Sequence, residues 1–264
     1  MSSSLSGTAA VVSGASSGIG RAIAVGLAES GLGRLIVHFR KNSQGAEETA
    51  EMARSHGCET TTLIGDLSIA ADRQHLCREA FSRLGVIHTW IHNAGADVLT
   101  GDAAGESFEQ KLDRLWQVDV RGTILLAREV ATEMKQRATP LPPSMIFIGW
   151  DQACEGMEGD AGMMFGSTKA SIMAFASSFA QTLAPQIRVN TIAPGWIQTS
   201  WGTETSGYWD RRARQQSLMN RWGTPQDVAR AAVYLADPQN SFLTGQTIAV
   251  NGGWNRRGEE RSDD

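Results

Sequence analysis

Two stretches near the start of this 264-residue chain carry residue types and spacings suited to holding a phosphorylated ligand. Ser13-Gly14-Ala15-Ser16-Ser17-Gly18-Ile19-Gly20 follows a β-branched run and opens directly into a helical pattern. Glycines there let the backbone turn tightly and approach a pyrophosphate, and the helix that follows offers free N–H groups and the positive end of its dipole. The spacing G-x-x-x-G-x-G differs from the commoner G-x-G-x-x-G, and a structural turn without a ligand would look similar. The second stretch, His38-Phe39-Arg40-Lys41, ends the next apolar run. An acidic residue at that place would bond the ribose 2′-OH of NAD. Arg40 and Lys41 instead suit a 2′-phosphate, which favours NADP(H) over NAD(H). The alternative is two solvated surface cations.

Elements that could position these residues follow from periodicity. Short β-branched runs at 8–12, 35–39, 60–64, 89–92, 145–148, 188–192 and 247–250 alternate with helical segments at 19–29, 44–56, 70–84, 108–134, 165–183, 208–219 and 225–236. That alternation predicts a single Rossmann-type, doubly wound parallel sheet with helices on both faces. Thr224-Pro225-Gln226-Asp227 reads as an N-cap, a proline at the first helical position and an acid in the first turn. There is no internal repeat or low-complexity linker, so residues 1–255 are expected to form one domain, with 256–264 a charged, mobile tail.

Composition narrows the function classes. The net charge of −4 provides no basic stripe, so no nucleic-acid partner is expected. Three cysteines, Cys58, Cys77 and Cys154, lack C-x-x-C spacing and predict neither a disulfide framework nor a metal site. No apolar run is long enough to span a bilayer and no leader is evident, so no membrane partner and a cytoplasmic location are expected.

The order of motifs carries a resemblance to a known family. Gly14 to Gly20 after the first strand is followed by Asp66-Leu67 after the third and Asn93-Ala94-Gly95 after the fourth. Lys169 then stands on a long helix, Val189-Asn190 precedes Pro194-Gly195-Trp196-Ile197-Gln198-Thr199, and Thr244-Gly245-Gln246 and Asn251-Gly252-Gly253 close the chain. In this order and spacing the chain resembles a short-chain dehydrogenase/reductase, of the β-ketoacyl-ACP reductase type, over nearly its whole length. The resemblance implies that Asp66 and Leu67 meet the adenine and that Asn93, Ala94 and Gly95 line the cofactor cleft. Pro194, Gly195, Ile197 and Thr199 would lie along the nicotinamide and phosphates, and Lys169 would hold the nicotinamide ribose. It also implies a homotetramer or homodimer.

At the catalytic end the sequence departs from that family. The resemblance implies a tyrosine that exchanges a proton with the substrate oxygen, a serine that polarises it, an asparagine in a relay and a lysine that lowers the tyrosine pKa. Only Lys169 matches. Phe165 holds the tyrosine position, Trp150 the serine position and Asp119 the asparagine position. Three readings stay open. Asp151, beside the Trp150 indole, could be desolvated and donate as a protonated carboxyl, or it could be an exposed loop carboxylate. Alternatively the substrate, a small carbonyl or imine-like compound, is already polarised and needs only hydride delivery against an aromatic wall of Trp150, Phe165, Trp196, Trp201 and Trp209, residues that could equally be packing. The third reading is a catalytically silent NADP-binding scaffold or sensor. Asp119 could pair with Lys169. Residues 200–223 are expected to form a lid, with Tyr208 a remote surrogate acid, and His92 reads as core or cleft lining.

Overall fold

The computed structural model describes residues 5–137, 139–199 and 207–255. The expected tail and Trp201 lie outside the described residues. Seven strands are present among them: β1 (Ala9–Val12), β2 (Arg34–Phe39), β3 (Glu59–Ile64), β4 (Thr89–His92), β5 (Ser144–Ile148), β6 (Arg188–Pro194) and β7 (Thr247–Val250). The helices are α1 (Gly18–Glu29), α2 (Ser43–Ser55), α3 (Ala70–Leu84), α4 (Phe108–Leu115), α5 (Thr123–Lys135), α6 (Gly159–Leu183), α7 (Gly207–Gln216) and α8 (Pro225–Ala236).

Every strand pairing is parallel, in the order β3-β2-β1-β4-β5-β6-β7. Parallel strands need crossovers, and the crossovers cover both faces with helices, which is why the strand sequences read as nearly unbroken apolar runs. One face packs Trp90, Phe147, Leu126, Val130 and Phe179 beneath α3, α5 and α6. The other packs Ile23, Leu27, Leu35, Ile91 and Leu235 beneath α1 and α8. The strand order reverses between β1, which continues to β2, and β4, which continues away from it. The two loops leaving their carboxyl ends therefore diverge and leave a crevice at that place.

Two expected boundaries change. The helix expected over 108–134 is interrupted by a π-helical stretch, Trp116–Gly122, between α4 and α5. Helical periodicity cannot show an extra residue in one turn. Here the turn is held open from outside: Asp119 takes the backbone N–H of Ala96, and Gly122 packs against the Leu67 carbonyl, which a Cβ would approach to 2.6 Å. The helix expected from Phe165 begins earlier, at Gly159, so Phe165 sits well inside it.

The start of α8 matches its sequence signal. Thr224 accepts from the Asp227 N–H, the Asp227 carboxylate accepts from the Thr224 N–H, and Pro225 opens the helix. Arg221 and Arg230 also hold Asp227, and the Arg221 guanidinium, with the Thr224 N–H and hydroxyl, keeps its carboxyl down at about 2. Thr224→Ala is expected to lower stability by about 1 kcal/mol, a fall in Tm of roughly 2–4 °C, measured by thermal denaturation. Because the folded-state pKa of Asp227 is depressed, its share of the cap's stability is present at neutral pH. It disappears as pH falls through the usual carboxylate range toward about 2, in parent and variant alike, whereas the bond from the Asp227 N–H to the Thr224 hydroxyl does not titrate, so a difference between the two should persist at low pH.

Candidate active site

The glycine-rich loop leaves β1 and is fixed to the end of β4 by a closed set of bonds. The Ser13 hydroxyl donates to the Ile91 carbonyl and accepts from the N–H groups of Asn93 (3.0 Å) and Ala94 (3.1 Å). The Asn93 amide donates to the carbonyls of Ser13 (3.0 Å) and Gly14 (2.9 Å). The turn leaves no room for side chains: a Cβ on Gly20 would lie 2.3 Å from the Gly14 carbonyl oxygen, and one on Gly14 would lie 2.6 Å from Ala94 Cα. Gly14 and Gly18 both take positive φ, +64° and +54°.

Two residues that hold this loop carry no motif. His38, inside β2, accepts the Gly14 N–H at Nδ1 and donates from Nε2 to the Gly65 carbonyl at 3.0 Å. That assignment requires a neutral ring, and burial pushes its pKa down to about 4. Arg21 on α1 donates to the carbonyls of Ser16 and Gly45, to the Thr49 hydroxyl and to Glu48, tying the loop to α2. The signals were a histidine within the otherwise apolar run 35–39 and an arginine one residue past the last glycine.

The loop fits a dinucleotide pyrophosphate. Ser17, the N-cap of α1, has an extended backbone and makes no side-chain cap, so its helix end has no side-chain acceptor of its own. Gly18 opposes only Thr199 Cγ2 at a distance that a Cβ would leave at 3.8 Å. At the outer end, Asp66 accepts from the Ser68 N–H and hydroxyl through Oδ1 and faces Arg40 at 3.6 Å through Oδ2. Leu67 is buried and Lys41 exposed. Arg40 is therefore shared between Asp66 and whatever lies at the end of β2.

From the loop a cleft of about 550 Å³ runs between the ends of β4, β5 and β6, and Ile19, Asn93, Lys169, Pro194, Gly195, Ile197 and Thr199 line it. The rest of its lining combines five aromatic side chains, Trp150, Phe165, Trp196, Trp209 and Trp222, with aliphatic ones such as Leu99, Met157 and Ala161. Trp222 had no sequence signal, since only the packing of the segment before α8 brings it in. Trp196 lies 5.7 Å from Trp209 and 5.9 Å edge-on from Trp222, and their indole N–H groups are held in turn: Trp196 donates to Gln216 and Trp222 to Asp210.

Asp119 and Lys169 form an ion pair at 3.1 Å, with side chains 2 % and 17 % exposed. The second Asp119 oxygen accepts from the Ala96 N–H at 2.7 Å, and Gly95 passes so close that a Cβ would lie 2.9 Å from the carboxylate. The carboxylate is thus fixed by two donors, one of them charged.

Asp151 is not brought to the cleft. Its Oδ2 accepts from Asn251 at 3.0 Å, behind Gly195, and Oδ1 is buried without a partner. Burial raises its pKa to about 6, against the opposing pull of Asn251. It is neither the exposed carboxylate nor the cleft-facing acid that the sequence suggested; it ties the loop after β5 to the end of β7. Tyr208 is 54 % exposed, and its hydroxyl meets Arg212, away from the cleft. His92 is core: it stacks on Phe147 at 4.6 Å, and burial pushes it down to about 3. Cys154 is exposed.

Comparison with known proteins places these features. The family model described as enoyl-(acyl carrier protein) reductase matches residues 14–255. The short-chain dehydrogenase/reductase SDRA of Arabidopsis thaliana is 31% identical over 252 residues, covering 94% of this chain and 95% of the plant protein. Among solved structures, a 3-oxoacyl (acyl-carrier-protein) reductase from Agrobacterium tumefaciens C58 with NADP bound superposes with a TM-score of 0.82 at 27% identity, covering 95% of each chain. A 3-oxoacyl-[acyl-carrier protein] reductase from Brucella melitensis in complex with NAD gives 0.83 at 26% identity, covering 93% of this chain and 96% of that one. With the strand order, the glycine turn, the Asn93 clamp and the cleft-lining lysine in place, the chain belongs to the short-chain dehydrogenase/reductase family of NAD(P)-dependent oxidoreductases.

Proposed function

We propose that this protein is an NAD(P)H-dependent reductase of a small carbonyl or imine-like compound, with NADP(H) the favoured cofactor, and that it works without a tyrosine acid. One observation carries the reading: the cleft joins the glycine-rich loop to an aromatic chamber in which Lys169 is the one titratable side chain among the described lining residues. A bound reduced nicotinamide would supply the hydride. The chain's part is to hold it and to arrange what surrounds the acceptor. The α1 terminus and Gly14 to Gly20 would take the pyrophosphate; Asp66 and Leu67 the adenine; Asn93, Ala94, Gly95, Pro194, Gly195, Ile197 and Thr199 the nicotinamide half; and Lys169 its ribose. Asp119 holds the ammonium in place at 3.1 Å. Where a proton must be delivered, we assign that to Lys169, which lines the cleft, and not to Asp151, which is not among its lining residues.

Relatives with NADP and with NAD both share the fold, so the preference rests on Arg40 and Lys41. Family resemblance supports a homodimer or homotetramer and a cytoplasmic setting. Among the described residues no helix is long and apolar enough to cross a membrane, and no cluster of three or more His, Cys, Asp and Glu could hold a metal ion. A silent scaffold has less support, since the lysine and the whole cofactor crevice are retained.

The testing experiment is a fluorescence titration with NADPH and, separately, NADH. NADPH is expected to bind more tightly, and Arg40→Ala to weaken NADPH by about tenfold while leaving NADH nearly unchanged. No saturable binding of either, in folded protein, would overturn the reading.

Two further outcomes concern the charges. Lys169→Ala strands the buried Asp119 carboxylate and is expected to cost about 3 kcal/mol in urea unfolding at pH 7.5, besides weakening cofactor binding. Adding Asp119→Asn should restore most of that stability, because it removes the uncompensated charge. Asp151→Asn is expected to keep turnover within about twofold, since the carboxyl does not reach the cleft. The raised folded pKa of Asp151 means that its protonated form stabilises the fold at low pH, a contribution lost as pH rises through about 6. The variant should flatten that part of the stability profile, read from urea midpoints at pH 5 and pH 7.5.

A further inference from the structure

We infer that the cleft selects a planar cationic C=N acceptor, an iminium on an apolar body, over a neutral ketone of the same shape. The inference rests on the reductase reading above and adds the charge of the substrate.

Aromatic faces supply the first argument. Trp150, Phe165, Trp196, Trp209 and Trp222 surround the cleft beyond Lys169. Aromatic faces carry negative potential, so rings at this density favour a positive charge and disfavour a developing alkoxide. Two of these rings already hold a cation: the Arg212 guanidinium lies 5.3 Å from the centroid of Trp209 and 5.9 Å from that of Trp196. Arg212 does not repel a second cation strongly, because Glu158 grips it through both carboxylate oxygens.

The second argument is the shortage of groups that would stabilise negative charge. Reduction of a ketone places charge on oxygen and needs fixed donors there. Among the described lining residues Thr199 carries the one side-chain hydroxyl, and the Asn93 amide donates to Ser13 and Gly14. Lys169 is paired with Asp119, so the couple adds no net charge to the cleft floor.

An iminium removes the difficulty. Its carbon takes a hydride from the reduced nicotinamide, a C–H bond forms, and the C=N π pair moves onto nitrogen. The positive charge leaves the substrate and ends on the oxidised nicotinamide. No proton is delivered, so the absence of a hydroxyl acid at Phe165 and Trp150 obstructs nothing.

The test uses two benzo-fused bicyclic probes of similar size, the 2-methyl-3,4-dihydroisoquinolinium cation and 1-tetralone. Their affinities are measured by calorimetry on full-length protein saturated with tetrahydro-NADP, a reduced analogue that does not transfer hydride. NADPH oxidation is then followed with each. The cation is expected to bind about tenfold or more tightly than the ketone and to be reduced faster. Trp150→Leu should erase most of that difference. Phe165→Tyr, a nearly isosteric change, should shift relative kcat/KM toward the ketone. Equal or tighter binding of 1-tetralone, or binding of neither probe while NADPH still binds, would overturn the inference and leave the reductase reading standing. Failure of NADPH to bind would overturn both.

Discussion

The structure depends on the reversal of strand order between β1 and β4 and on the small set of bonds that fixes it. Parallel strands that depart in opposite directions necessarily part at their carboxyl ends, so the backbone makes a crevice before any side chain is chosen. Ser13 and Asn93 decide that the crevice has one shape. Five side-chain hydrogen bonds join the two loop starts, and three of them use the Ser13 hydroxyl. Each group in the set is buried or half-buried, so breaking one leaves another unpaired at a cost larger than the bond itself contributes. His38 extends the clamp to the end of β3 by linking Gly14 to Gly65.

A second clamp sits deeper. The π-helical turn at Trp116–Gly122 brings Asp119 against both Ala96 and Lys169, and so ties the loop after β4 to the long helix α6. A buried ion pair gains little over an apolar pair of the same volume, but it is unforgiving of losing one member. Its value here is positional. It fixes the height of the ammonium above the sheet, and it cancels a charge that would otherwise dominate the cleft.

That cancellation gives the aromatic wall its chemical meaning. With the lysine charge balanced and Asp151 bonded to Asn251, the remaining lining of the cleft is largely aromatic and aliphatic. On the reading proposed above, such a site would orient a hydride and exclude water, and would stabilise positive charge better than negative, the reverse of what a hydroxyl pair would do.

Local residues sufficed for much of this. Alternating β-branched runs and helical periods specify a parallel sheet because each strand must be apolar on both faces, and the glycine turn, the α8 cap and the order of the family motifs are written in adjacent residues. The replacement of hydroxyls by Phe165 and Trp150 is equally legible, since a ring without an acidic proton is a property of the residue alone. What depends on distant residues could not be read. The turn around Asp119 opens because of Ala96 and Leu67, far along the chain. The direction of the Asp151 carboxyl is set by Asn251, a hundred residues away. Arg40 is shared with Asp66, and Trp222 reaches the cleft only because the segment before α8 folds against Trp196. Sequence thus determined which groups were available for chemistry, through local propensity and side-chain type. Tertiary structure decided which of them meet, because direction, burial and partnership arise only when remote segments pack together.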